Sequence, residues 1–201
     1  MAIRAAIFDL GGVLLVGGRP LARRAWEERL GLQPGGLDRA LGDAIGPGWA
    51  GGRTEEEIHQ RLGDVLGLPV PDVVRLLSDL EGDSYIEPEL AELIRKIRST
   101  HRVAILANNG PDVRSHLNAR FGLEELVDLV VISGEEGMAK PDPTIYRLTA
   151  DRLGVDPVEC VFVDDRPENV EGARVVGMEA VLHRDVGNTV KCLRSILGLP
   201  E

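Results

Sequence analysis

The chain has 201 residues, enough for one full hydrophobic core or for a core domain with an insertion. Hydrophobic residues make up 43% of it, which indicates a globular protein. The formal charge of −10 provides no diffuse positive field, so the composition argues against a nucleic-acid partner, and an anionic substrate would need a local basic site.

The apolar runs and the cysteines indicate the cellular location to expect for the protein. No apolar run approaches the ~18 residues that a membrane span needs, and the first run is broken by Asp9. Cys160 and Cys192 follow no metal-binding or redox spacing, which predicts reduced thiols. We therefore expect no membrane anchor, no export and a cytoplasmic location.

The first predicted element is a buried strand over residues 5–10, which contains Asp9 and is followed by Gly11 and Gly12. A carboxylate at the tip of a buried strand, above a glycine turn, indicates a functional group. The alternative is that Asp9 only caps the turn that follows it.

Residues 16–86 are predicted to be helical throughout, with glycine-rich hinges at residues 17–20 and 81–83. Thr54 and Glu57 have the spacing of a capping box at the start of one of these helices. The predicted helices cover residues 21–30, 37–45, 54–66 and 71–79. We expect this segment to be a cap domain above the carboxyl ends of the strands, where active sites of open α/β sheets form.

From residue 88 onward, helices and apolar strands alternate regularly, which predicts a parallel sheet with helices on both faces. Strands are predicted at 103–107, 129–132, 161–163 and 179–182, and helices at 88–100, 112–121, 144–153, 170–176 and 189–197. The fold class is therefore α/β, with a Rossmann-like doubly wound core domain formed by residues 1–15 and 87–201 and an all-helical cap formed by 16–86.

A pair of acids, Asp164 and Asp165, follows the predicted strand at 161–163. An ionised carboxylate such as Asp9 is a nucleophile that needs no base, provided that anionic repulsion from a phosphate is cancelled. Mg²⁺ cancels it and prefers the hard oxygen ligands that these acids provide. An acidic pair in a solvated turn is the alternative reading.

Lys140 lies between these acids in the sequence. The chain has 20 arginines and only three lysines, so a compact ammonium group at this position is notable. Between a nucleophilic Asp9 and a phosphate, the ammonium of Lys140 would hold both anions and stabilise the transition state. The alternative is a solvated loop lysine.

Asn108 and Asn109 follow the strand at 103–107, ahead of a predicted helix. Backbone N–H groups at a helix start bind anions, so we expect this segment to bind phosphate. An asparagine-rich turn that bonds to its own backbone is the alternative. Trp49 and Arg53, ahead of the helix at Thr54, are candidates for facing the core domain and contacting substrate, although packing is the favoured role of Trp49.

Taken together, these motifs resemble those of the haloacid dehalogenase-like hydrolase superfamily, in the branch with a helical cap after the first strand. The matching stretches are residues 8–13, 105–108, 140–142 and 163–169. The resemblance implies that Asp9 forms a covalent intermediate. It also implies that Mg²⁺ is bound by Asp9, by the backbone carbonyl of Gly11, and by Asp164 and Asp165.

Two positions depart from the family pattern. Phosphatases of this family carry a second aspartate where this chain has Gly11, and a hydroxyl residue where it has Ala107. The expected function is a Mg²⁺-dependent phosphatase for a small phosphorylated metabolite, with reduced general acid catalysis. The alternatives are a metal- or phosphate-binding protein with little turnover and, less favoured, a 2-haloacid dehalogenase. A receiver domain is disfavoured because its acidic pair would precede the phosphorylated aspartate.

Overall fold

The computed structural model describes residues 2–17, 20–45, 54–82 and 84–200. Its strands are β1 Ala5–Phe8, β2 Leu15–Val16, β3 Tyr85–Ile86, β4 Arg102–Ala107, β5 Leu129–Ile132, β6 Cys160–Asp164 and β7 Glu179–Leu182. Five of them form a parallel sheet in the order β5-β4-β1-β6-β7. The predicted α/β fold with a parallel core sheet is confirmed.

Both faces of the sheet are covered, as the near-continuous apolar strands indicated. Along β1, Ala6 and Phe8 pack into one apolar cluster, whereas Ala5 and Ile7 pack into another on the opposite face. All four residues are fully buried. This double burial leaves the ends of the strands as the places where polar groups of the sheet can meet solvent.

The helices within the described residues agree with the predicted ones in number and place, apart from two short additions, and differ in their ends. They are α1 Pro20–Arg29, α2 Gly36–Ile45, α3 Glu55–Leu66, α4 Val70–Glu81, α5 Pro88–Ile97, α6 Arg114–Phe121, α7 Leu123–Leu126, α8 Ser133–Glu136, α9 Pro143–Leu153, α10 Pro167–Val175 and α11 Val186–Leu197. Helix α10 begins earlier than predicted because Pro167 suits the first helical turn. Helix α11 also begins earlier, because Asp185 caps it by accepting a hydrogen bond from the backbone of Asn188.

Helices α1 to α4 pack around an apolar cluster of their own. Its fully buried members include Leu37, Leu62, Val73 and Leu76. The predicted capping box is present at the start of α3. The backbone N–H of Glu57 donates to the side chain of Thr54, and the backbone N–H of Thr54 donates to the side chain of Glu57. We propose that residues 16–86 form the cap and that residues 1–15 and 87–201 form the core domain. None of the described helices combines the length and the apolar character that crossing a membrane requires.

The prediction of helices alone between residues 16 and 86 is wrong at both ends. Strands β2 and β3 pair in antiparallel fashion, with Val16 opposite Tyr85 and Leu15 opposite Ile86. A two-residue strand has no periodicity that a sequence can display, and this pair forms because the two connections to the cap run side by side. Trp49, Arg53 and parts of both predicted hinges lie outside the described residues.

Candidate active site

The central strands bring the predicted catalytic acids to one edge of the sheet. Strand β1 lies between β4 and β6, with Phe8 opposite both Ile105 and Val163. Asp9 directly follows β1, and Asp164 is the last residue of β6. Because parallel strands present their carboxyl ends at the same edge, residues 155 positions apart in the chain become neighbours, as the sequence analysis expected.

The ammonium group of Lys140 joins these two acids. Its Nζ lies 2.6 Å from Oδ1 of Asp9 and 2.8 Å from Oδ2 of Asp164. The lysine side chain is only 1% exposed, and the side chains of Asp9 and Asp164 are 11% and 0% exposed. The interpretation of Lys140 as a solvated loop residue is therefore wrong. The lysine offsets the charge of two carboxylates that water scarcely reaches.

Asn108 fixes the position of Lys140. Its Nδ2 donates to the backbone carbonyl of Lys140 at 2.9 Å, and its Oδ1 accepts from the backbone N–H of Lys140 at 3.0 Å. On the other side, helix α10 approaches this loop closely at Gly172, where a Cβ would lie 2.7 Å from the carbonyl oxygen of Pro141. Asn108 also lines the cleft, but both ends of its amide already hold the lysine loop.

The backbone N–H groups that were expected to bind an anion have partners within the protein. The N–H of Asn109 donates to Oγ of Ser133 at 3.0 Å, and the N–H of Gly110 donates to the side chain of Asn109 at 2.9 Å. Helix α6 begins only at Arg114, so these groups do not lie at its start. The prediction of an anion site on these N–H groups needs correction, because Ser133 and an asparagine turn occupy them.

Asn169 is a site residue whose role is not evident from the sequence. Its Nδ2 lies 3.0 Å from both carboxylate oxygens of Asp164, and its side chain is buried. The backbone N–H of Arg166 adds a third donor to Asp164, at 2.9 Å. The sequence signal for this contact is the matching stretch 163–169, which ends on Asn169 across a strand–turn–helix junction.

Asp165 completes a group of acids that could hold a metal ion. One carboxylate oxygen from each of Asp9, Asp164 and Asp165 lies within 4.8 Å of the others. Lys140 bonds to two of these three carboxylates, Asp9 and Asp164, so the group keeps negative charge that a divalent cation would neutralise. Carboxylate oxygens are the hard ligands that Mg²⁺ prefers.

The electrostatics of the acids reflect their burial. Burial raises the pKa of Asp9 to about 6; the ammonium of Lys140 opposes the rise, and the carboxylate of Asp164 adds to it. Burial also raises the pKa of Asp165, and the charge of Asp164 reinforces that effect. A nearby positive charge would therefore lower the pKa of both acids and keep them ionised.

The acids open into a polar cleft of about 260 Å³. Gly11 and Ala107, the two positions that depart from the family pattern, both line it, together with Asn109 and Arg166. A Cβ on Gly11 would meet no atom within 4 Å. The space beside Asp9 is therefore open, and no described side chain at residues 11 or 107 supplies an acid or a hydroxyl.

The fold and this site identify a class of protein. A family model described as haloacid dehalogenase-like hydrolase matches residues 3–177. The chain belongs to this family, as the sequence motifs predicted.

The chain is also similar to individual proteins and to solved structures. The chain is 34% identical to phosphatase MT3486 of Mycobacterium tuberculosis, over 94% of this chain and 91% of that protein. It is 30% identical to bifunctional epoxide hydrolase 2 of Sus scrofa over 99% of its own length, but spans only 40% of that relative. A solved structure of the HAD family enzyme BT-2542 of Bacteroides thetaiotaomicron, in complex with magnesium and inorganic phosphate, superposes with a TM-score of 0.69. It covers 91% of this chain and 95% of its own, at 22% identity.

Proposed function

We propose that this protein is a Mg²⁺-dependent phosphatase that hydrolyses a small phosphorylated metabolite through a phosphoryl-aspartate at Asp9. One observation carries the proposal: Lys140 bonds at once to Asp9 and to Asp164, in a cleft that Asp165 also lines. The named phosphatase among the relatives supports the same reaction class.

In this proposal Asp9 is the nucleophile. A carboxylate oxygen of Asp9 attacks phosphorus, so that an O–P bond forms and the bond to the leaving oxygen breaks. Lys140 donates a hydrogen bond to Asp9 and can bind a phosphate oxygen, which lowers the repulsion between the two anions. Water then attacks phosphorus, the carboxylate of Asp9 leaves, and inorganic phosphate is released.

Mg²⁺ would be held by Asp9, Asp164, Asp165 and the backbone carbonyl of Gly11, and would neutralise charge on the phosphate. The excess of carboxylates over cations at this site supports a divalent ion there. Magnesium in the Bacteroides structure of the same fold is consistent with that choice. Asn169 and the backbone of Arg166 would hold Asp164 in place.

Phosphate recognition in this proposal rests on Lys140, with Asn108 and Asn109 in supporting roles. Asn108 positions the lysine through its backbone and lines the cleft. The backbone N–H of Asn109 already donates to Oγ of Ser133. We therefore propose that Asn109 shapes the wall of the cleft and does not bind the phosphate strongly.

Gly11 and Ala107 support a second candidate, a protein of this family that binds metal and phosphate with little turnover. Neither residue can donate a proton to a leaving group, and loss of a general acid typically costs ~10²–10⁴-fold in rate. The two candidates make different predictions for substrates whose leaving group departs without help, such as acyl and aryl phosphates.

The test is release of inorganic phosphate from acetyl phosphate, an aryl phosphate and a hexose 6-phosphate, each with Mg²⁺ and with a chelator. We expect release that requires Mg²⁺ and is fastest for the acyl and aryl substrates. Saturable binding of Mg²⁺ and phosphate without release would favour the second candidate. Equal release in chelator would contradict the proposed metal site.

A further inference from the structure

A second cavity, of about 460 Å³, adjoins the catalytic cleft. It is lined by cap helices α2, α3 and α4, and by the core segment from Asn109 to His116. Asn109 lines both spaces, so the cavity and the cleft border each other at this residue. A group attached to a phosphate in the cleft would therefore extend between cap and core.

The described lining of this cavity is mainly apolar. Aliphatic side chains come from every one of the three cap helices and also from the core. They are Leu41, Ile58, Leu62, Val74, Leu77 and Val113. Its volume falls in the range of ~300–1,000 Å³ typical of small-molecule sites, whose linings are predominantly apolar as well.

Besides two histidines, the titratable side chains in the described lining are all acidic. They are Glu55, Glu81 and Asp112, and the described lining contains neither lysine nor arginine. Glu81 is held by His116 at 2.8 Å and by Arg120 at 3.1 Å, across the boundary between cap and core. A second anionic group on the substrate would meet acids here and no lysine or arginine among the described residues.

On the basis of the proposed phosphatase function, we infer that the substrate carries its phosphate on an uncharged, largely apolar group that occupies this cavity. Transfer of an alkyl or aryl group from water to an aliphatic lining is favourable in proportion to the buried area. A second phosphate would lose hydration beside Glu55, Glu81 and Asp112, with no lysine or arginine in the described lining to pair with it. The substrate class is therefore a monophosphate ester of an apolar alcohol or phenol.

Binding of phosphonates, which the enzyme cannot hydrolyse, tests the inference without relying on turnover. Calorimetry in the presence of Mg²⁺ would compare methylphosphonate with n-hexylphosphonate. We expect the hexyl compound to bind at least tenfold more tightly, because each buried methylene contributes about fourfold, or ~0.8 kcal/mol. Equal or weaker binding of the hexyl compound would overturn the inference while leaving the phosphate site intact. Failure of both compounds to bind would contradict the phosphate site as well.

A pair of matched variants assigns the effect to the cavity. Val74 on α4 lines the cavity and is 48% exposed, whereas Val65 on α3 is 50% exposed and lies outside the lining. Both positions face solvent in part, so neither Val74→Asp nor Val65→Asp should prevent folding. We expect Val74→Asp to lower the hexyl-to-methyl binding ratio by about tenfold and Val65→Asp to leave it unchanged.

Hydrolysis rates distinguish a failure of this inference from a failure of the proposed function. The comparison is hydrolysis of n-hexyl phosphate with hydrolysis of a hexose 6-phosphate, both of which release a primary alcohol. We expect a kcat/KM ratio of at least ten in favour of the hexyl ester. Hydrolysis of acetyl phosphate combined with a preference for the hexose would overturn the apolar class and leave the phosphatase assignment standing.

Discussion

A Cβ on Gly12 would lie 2.5 Å from Oδ2 of Asp165. The backbone of Gly12 also has φ +79°, a conformation that residues with side chains rarely adopt. The carboxylate of Asp165 therefore takes its place in the acidic group only because residue 12 has no side chain. Gly12 therefore fixes the position of the Asp165 carboxylate as well as the turn after the first strand.

The first prediction concerns Gly12. Gly12→Ala should weaken Mg²⁺ binding, because the new methyl group displaces the carboxylate of Asp165. Gly154→Ala is the matched control, since Gly154 has φ +71° and a Cβ there would meet no atom within 4 Å. Both variants should lose roughly 1–2 kcal/mol of stability from backbone strain. Only Gly12→Ala should change the Mg²⁺ affinity in calorimetry, and equal affinities would remove the link between Gly12 and Asp165.

A second prediction tests the buried support of Asp164. Asn169→Ala removes donors to both carboxylate oxygens and should cost roughly 1–3 kcal/mol of stability, the usual penalty for an unsatisfied buried group. Turnover should fall with it, because Asp164 also holds Lys140. Asn188→Ala, at an exposed position on α11, serves as the control. Thermal melts and phosphate release measure the two effects, and an unchanged Asn169→Ala enzyme would contradict the assigned role.

Lys140 gives a third prediction. Lys140→Ala leaves Asp9 and Asp164 facing each other without a cation, and loss of one partner from a buried ion pair costs about 3–5 kcal/mol. Turnover should fall by roughly 10²–10³-fold, the typical loss on removing a transition-state donor. Lys96→Ala should have little effect on either, because Lys96 pairs with Glu92 on the surface. Similar losses in the two variants would refute a special role for Lys140.

Gly11 decides how the leaving group departs. Its φ lies outside the left-handed region that favours glycine, and a Cβ there meets no atom within 4 Å, so Gly11→Asp should fold normally. The new carboxylate should speed hydrolysis of alkyl phosphates by up to ~10²–10⁴-fold and affect acetyl phosphate much less. Rates for alkyl and aryl phosphates that are already equal in the wild-type protein would show that another group supplies the proton.

The core was predictable because its strands are continuous apolar runs bounded by turn residues. Strands β5 and β7 match the predicted limits at both ends, and the capping box at Thr54 and Glu57 is present as expected. The paired strands β2 and β3 were not predictable, since two residues carry no period and their pairing depends on where the cap connections meet.

The site was predictable in its charged residues and less so in its hydrogen bonds. Asp9, Asp164 and Lys140 follow from strand ends and from the family motifs. The role of Asn169 and the use of the Asn109 N–H by Ser133 depend on contacts between elements. Ser133 is 24 residues away from Asn109 in sequence, and no local pattern connects the two.

The most direct test of a covalent mechanism at Asp9 is to locate the phosphoryl group during turnover. Wild-type protein would be mixed with acetyl phosphate and Mg²⁺, quenched in acid and digested for mass spectrometry, with Asp9→Asn treated in parallel. The covalent mechanism predicts one phosphoryl group on the peptide that contains Asp9 in the wild-type protein. It predicts neither that modification nor phosphate release in the variant. Phosphate release by Asp9→Asn at a rate near that of wild type, or a phosphoryl group on a different residue, would contradict it.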